Sequence, residues 1–149
     1  MRHAFAPIFL TAFFVGLLPP AAGPALGQTA PAFASAGTDE AQVTAFLKTL
    51  RSAVSVGNRL KVATLVHFPL KAWVGGEETV INDEREFQAR YGRVFDANVT
   101  KAIADARVDA LFASQQGVAI DNGRVWFRPV AEHKNAIKIV AINDPAQPR

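Results

Sequence analysis

The chain contains no cysteine. That excludes a disulfide scaffold, a thiolate metal site, a cysteine nucleophile and a lipid-modified amino-terminal cysteine. Histidine is scarce: His3 lies in the leader described below, so only His67 and His133 remain. With no His-Glu-x-x-His pair and no Asp-rich calcium loop, no metal is expected. Gly75-Gly76 is followed by Glu77-Glu78, whose charge repels a phosphate, so no phosphate-cradling loop is read there. A Gly-x-Ser-x-Gly elbow is also lacking, which argues against a serine hydrolase of that type. No cofactor is expected. Basic residues do not cluster into a nucleic-acid footprint; the signs alternate, as in Asp83-Glu84-Arg85-Glu86. Internal repeats are missing as well.

Half of the residues are hydrophobic and 19% are charged. This balance excludes intrinsic disorder. A length of 149 residues predicts one domain.

Residues 1–27 read as a secretory signal peptide. Arg2 and His3 form a positive start, Ala4 to Leu18 is uncharged and apolar, and Pro19-Pro20 ends it. Ala25-Leu26-Gly27 supplies the small residues that a signal peptidase reads. The apolar run is shorter than the about 20 residues of a membrane-spanning helix. Cleavage after Gly27 is expected, with Ala34 as the alternative and Ala22 or Gly23 as weaker ones. A single Arg, with no twin-arginine pair, favours export in the unfolded state to the periplasm. Removing Arg2 with the leader lowers the formal charge from +3 to +2.

Residues 28–37 are small and polar and read as a flexible lead-in. A single domain follows over 38–144, with 145–149 as a tail. Thr38 is the expected N-cap of a helix whose apolar face is Val43, Phe46, Leu47, Leu50 and Val54. Gly57 is placed to end it and Asn58 to cap a second helix carrying Leu60, Val62, Leu65 and Val66. A strand over Phe68 to Val74, a Gly75-Gly76 turn and a strand at Thr79 to Ile81 come next. Asn82 or Asp83 caps a third helix, with Asp83 and Glu86 as a capping-box pair and an aromatic stripe of Phe87, Tyr91 and Phe95. A short helix from Val99 to Ala106 with Thr100 as cap precedes four strands: Val108 to Ser114, Gly117 to Asp121, Arg124 to Val130 and Ala136 to Asn143. Asn122-Gly123 predicts a two-residue type I′ hairpin. Helices first and strands last give an α+β class with helices on one face of a curved antiparallel sheet.

From Asp39 to Asn143 the chain resembles the nuclear-transport-factor-2-like superfamily, the cystatin-like α+β cone, in an exported bacterial branch. Three stretches carry the likeness: the helix pair running into Val66-His67-Phe68-Pro69-Leu70, Glu86-Phe87 through Tyr91 to Phe95, and Gly117 to Phe127 followed by Ile137 to Asn143. The resemblance implies a strongly bent sheet wrapping the third helix, a pocket inside the cone and pairing of two copies through the outer sheet face. It implies no single activity, because the superfamily includes isomerases, dehydratases, cyclases, transport factors and non-catalytic domains.

Two residues are candidates for chemistry. His67, at a helix–strand junction, has the side-chain type of a general base. The plainer reading, a structural histidine at a helix end, is favoured, since no carboxylate stands at fixed spacing. Tyr91 is the sole tyrosine and resembles the oxyanion-hole donor of the ketosteroid isomerase members. No pair of pocket carboxylates accompanies it, so a core role is favoured. Phe68, Trp73, Phe87, Tyr91, Phe95 and Trp126 are the candidate ligand-binding set. Trp126 must face opposite to Val125 and Phe127 on its strand, placing it on a pocket wall, a dimer face or in the core.

The expected function is a non-catalytic, exported binding domain for a small apolar ligand or a protein partner. The alternatives are a cofactor-independent isomerase, dehydratase or cyclase using His67 and Tyr91, and an envelope interaction or inhibitor module.

Overall fold

Val43, Phe46, Leu47 and Leu50 recur at three- and four-residue spacing and form the buried stripe of α1 (Glu40–Ser55) in the computed structural model, which describes residues 32 to 145. Residues 1–31, which include the expected signal peptide and the start of the expected lead-in, and residues 146–149 lie outside the described residues. Asp39, not Thr38, caps α1 by accepting from the Gln42 backbone N–H; the buried Thr38 hydroxyl instead donates to Gln42 Oε1 at 2.8 Å. Gly57 takes a φ of 64° and ends the helix. Asn58 caps α2 (Arg59–Thr64), accepting from the Lys61 N–H. Leu60, expected on the buried face of α2, is 67% exposed.

Part of the segment expected as a lead-in packs on the domain. Ala34–Ala36 form a 3-10 turn, and Phe33 and Ala36 are buried against the core beside the later strands. Small residues hid this segment, but Phe33 is an apolar plug of ordinary size. Cleavage after Ala34 would remove it from the mature domain.

β1 (Val66–Val74) and β2 (Glu77–Ile81) pair antiparallel around Gly75-Gly76. Pro69 sits inside β1, in the stretch between Val66 and Lys71 where the register shifts. A residue without an N–H is tolerated at such an irregularity. Asp83 caps α3 (Glu84–Val94) through the Glu86 N–H, and Glu86 reaches back to the Asn82 N–H. This is a capping box displaced by one residue. α4 (Ala97–Asp105) starts two residues earlier than expected because Asp96, rather than Thr100, is its cap.

The strand expected over Val108 to Ser114 is a 3-10 turn, Val108–Ala110, and a three-residue strand β3 (Phe112–Ser114). β4 (Gly117–Ile120) and β5 (Val125–Val130) are joined by four residues rather than two. Asp121, Asn122 and Gly123 all take positive φ, at 48°, 53° and 90°. Asp and Asn tolerate this region better than other side chains, which lets the turn begin one residue earlier. β6 (Ala136–Ile142) closes the sheet.

The sheet order is β2-β1-β6-β5-β4-β3, and β1 runs parallel to β6. The class is α+β, and the curved sheet is mixed rather than purely antiparallel. Register shifts in β1/β6 and β5/β6 bend it. The helices cover one face. Phe46 of α1 lies 4.8 Å from Phe127 of β5, ring to ring, and Phe87, Tyr91 and Phe95 pack with Phe68 of β1.

Candidate functional site

The six candidate ligand-binding aromatics divide between the two sides of the sheet. Phe87, Tyr91 and Phe95 are buried on the helix side, and Phe68 packs against them. Phe87 stands edge-on to Phe68, Tyr91 and Phe95 at 5.7–5.8 Å, while Tyr91 and Phe95 stack at 5.2 Å. These side chains fill one another's space. Trp73 and Trp126 stand on the opposite, open face.

Strand register builds that open face. Paired positions run straight across all six strands as Val80, Lys71, Ala141, Trp126, Ala119 and Phe112. Val125 and Phe127 point to the helices and are fully buried, as the alternation around Trp126 requires. Ala141 is the small residue between Lys71 and Trp126, so the row dips at its centre. Trp73, Trp126, Lys71, Arg128 and Glu78 border the resulting groove, which has a volume of about 880 Å³. Phe112 stands edge-on to Trp126 at 6.3 Å and is 61% exposed.

The charge around the groove is uneven. Asp144 lies 3.9 Å from Arg124, which also holds Asp121 at 2.7 Å. Lys71 and Arg128 form no ion pair among the described residues, and Glu78 is the one carboxylate of the lining left without a cation. The Trp73 indole N–H is shielded from solvent and has no acceptor among the described residues. A buried donor left so is costly, and an oxygen brought to it would relieve the cost.

His67 and Tyr91 border neither the sheet-face groove nor the grooves beside α4 and α1. His67 Nε2 is 3.9 Å from Glu132, beyond hydrogen-bond reach, and its ring meets His133 edge-on at 5.6 Å. Its Nδ1 is buried and has no hydrogen-bond partner among the described residues. Tyr91 lies under the Arg59 guanidinium, 5.2 Å from the ring centre. Burial pushes the Tyr91 phenol above its usual value, and the Arg59 charge opposes this. No group of three His, Asp or Glu among the described residues is placed to hold a metal ion. No described helix is long and apolar enough to cross a membrane.

The raised phenol makes a prediction. Tyr91 is the only tyrosine, so the near-ultraviolet absorbance of phenolate titrates it alone. Its midpoint is expected above 10.0 in the folded chain and near 10.0 in denaturant. Because the folded value is the higher, stability is intact below the unfolded value and falls as pH rises through the folded one. A folded midpoint at or below the denatured one contradicts the burial of this ring.

Against known proteins, the chain matches no family model, no curated protein and no solved structure.

Proposed function

We propose that the protein is a non-catalytic binding domain of the periplasm that works through the open face of its sheet, taking a small apolar ligand that carries an acidic group. One observation carries this reading. Both tryptophans border a single groove, with two cations lacking an ion pair beside them, while the aromatics of the helix side fill their own space. The groove falls in the size range of small-molecule sites. An apolar body would lie over Ala141 between the indole rings, and its acidic group would meet Lys71 or Arg128. Export rests on the leader sequence, and the cone assignment rests on the resemblance; the α+β class with helices on one face of a bent sheet is compatible with that cone.

Trp73 and Trp126 are the only tryptophans, so emission excited selectively at the indoles reports this face. Titration with laurate, an apolar carboxylate, is expected to shift the emission and saturate. Ala141→Glu, which puts a carboxylate on the groove floor, is expected to weaken binding about tenfold or more by repulsion and lost contact, in a chain that circular dichroism shows still folded. An emission insensitive to laurate, or an Ala141→Glu variant that binds as well as the parent, rejects the ligand reading.

A second occupant is favoured by Val80 and Phe112, which are 45% and 61% exposed at the two ends of the row. They extend the apolar surface beyond the groove, as a protein interface would. In that case the face is covered by a second copy of the chain. Sedimentation then shows a concentration-dependent dimer that Phe112→Asp dissociates, whereas a monomer at all concentrations removes this reading.

A further inference from the structure

The α1–α2 corner, on the helix side, is unlike the rest of the surface. Val56 is 74% exposed and Leu60 is 67% exposed, the two most exposed of the large apolar side chains among the described residues, and they lie on either side of the Gly57-Asn58 turn. Lys48, Val56 and Lys61 border one shallow groove, and none of its bordering residues is acidic. Arg59 adds a further cation on the first turn of α2.

The charge pattern extends well past the groove. From Ala41 to Thr64, across α1 and α2, the chain has no Asp or Glu, while Lys48, Arg51, Arg59 and Lys61 fall within that stretch. Arg51 is committed internally, donating to the carbonyls of Ile103 and Ala106. Lys48 and Lys61 form no ion pair among the described residues. The elements packed against the corner do not neutralise it. α3 has Glu84 and Glu86 against Arg85, Arg90 and Arg93, with Glu86 paired to Arg90 at 3.3 Å. On α4, Asp105 is paired to Lys101.

We infer that this corner is an attachment surface for an anionic lipid bilayer. Two exposed apolar tips ringed by lysine and arginine, with no carboxylate among them, match an interface whose headgroups are negative and whose interior accepts Val and Leu. Lys48 and Lys61 draw the protein to the headgroup phosphates, and Val56 and Leu60 enter the acyl boundary. The fit is to a surface rather than to a discrete ion, because the cations are spread along two helices and do not converge on one point. The inference is independent of the sheet-face ligand, since the corner belongs to α1 and α2 and the groove to β1, β2, β5 and β6.

The test is flotation of the chain recovered from the periplasm with vesicles of phosphatidylcholine alone or of phosphatidylcholine with a minority of phosphatidylglycerol. Binding is expected only with phosphatidylglycerol and is expected to weaken as salt is raised. Each cation near the surface contributes about fivefold in affinity, so Lys48→Gln with Lys61→Gln is expected to weaken binding about 25-fold. Leu60→Ser is expected to weaken it as well, and because Leu60 is exposed, its unfolding temperature should match the parent's. Lys71→Gln, on the sheet face, should leave vesicle binding unchanged. Loss of vesicle binding in Lys71→Gln but not in the Lys48/Lys61 pair would move the lipid surface to the sheet and overturn the inference. So would equal binding to neutral vesicles, or no binding to phosphatidylglycerol at all.

Discussion

Phe87→Ala is expected to lower folding stability by about 3–5 kcal/mol, the range for deleting a buried aromatic side chain. Phe87 is fully buried and is the ring on which Phe68, Tyr91 and Phe95 converge. Removing it takes away the apolar transfer term and leaves a space that three rigid rings cannot jointly collapse into. Two of those rings belong to α3 or its C-terminal end and one to β1, so the loss loosens the seat of α3 on the sheet. Phe112→Ala is the matched control: it deletes the same group from a site that is 61% exposed, and about 0.5 kcal/mol is expected. Chemical denaturation of the three proteins gives both numbers. A cost below about 1 kcal/mol for Phe87→Ala would mean that the helix side of the sheet is loosely packed, and the division between a filled side and a binding side would fail.

Gly117→Ala is the second large effect. Gly117 opens β4 with a φ of 132°. An added Cβ would stand 2.6 Å from the Phe127 carbonyl oxygen and 3.1 Å from the Arg128 Cβ. Both neighbours are on β5, and a backbone oxygen cannot move without breaking the β4–β5 ladder. Backbone strain and steric overlap therefore act together, and a loss of about 2–3 kcal/mol or more is expected. Gly57→Ala gives the cost of the milder left-handed conformation without any close approach. Gly57 also has positive φ, at 64°, but nothing lies within 4 Å of its added Cβ. About 1 kcal/mol is expected there from conformation alone. Equal costs at the two positions would show that the close approach to Phe127 contributes nothing.

Local features were the ones legible in the sequence. The spacing of Val43, Phe46, Leu47 and Leu50 predicted α1, and Asp83 with Glu86 predicted the start of α3, because helix periodicity and capping act within a few residues. Two caps were misplaced: Asp39, not Thr38, caps α1, and Asp96, not Thr100, caps α4. The alternation of Val125, Trp126 and Phe127 correctly set Trp126 against its neighbours. What no local pattern could supply was the parallel pairing of β1 with β6. That pairing alone brings Trp73 to the same face as Trp126, with Ala141 between the two strands. Without it, the tryptophans and the α3 aromatics read as one set, although the sheet separates them.

The same pairing sets the order of assembly. β6 lies in the interior of the sheet, between the β1–β2 hairpin and the β3–β4–β5 meander, yet it is the last of the described strands in chain order. Until residues 136–142 emerge, the two parts of the sheet have no common neighbour, and Ile139 and Ile142 are missing from the core. The sheet is thus an arch whose keystone arrives at the end. A chain drawn across a membrane amino terminus first would hold this sheet open until residues 136–142 had crossed.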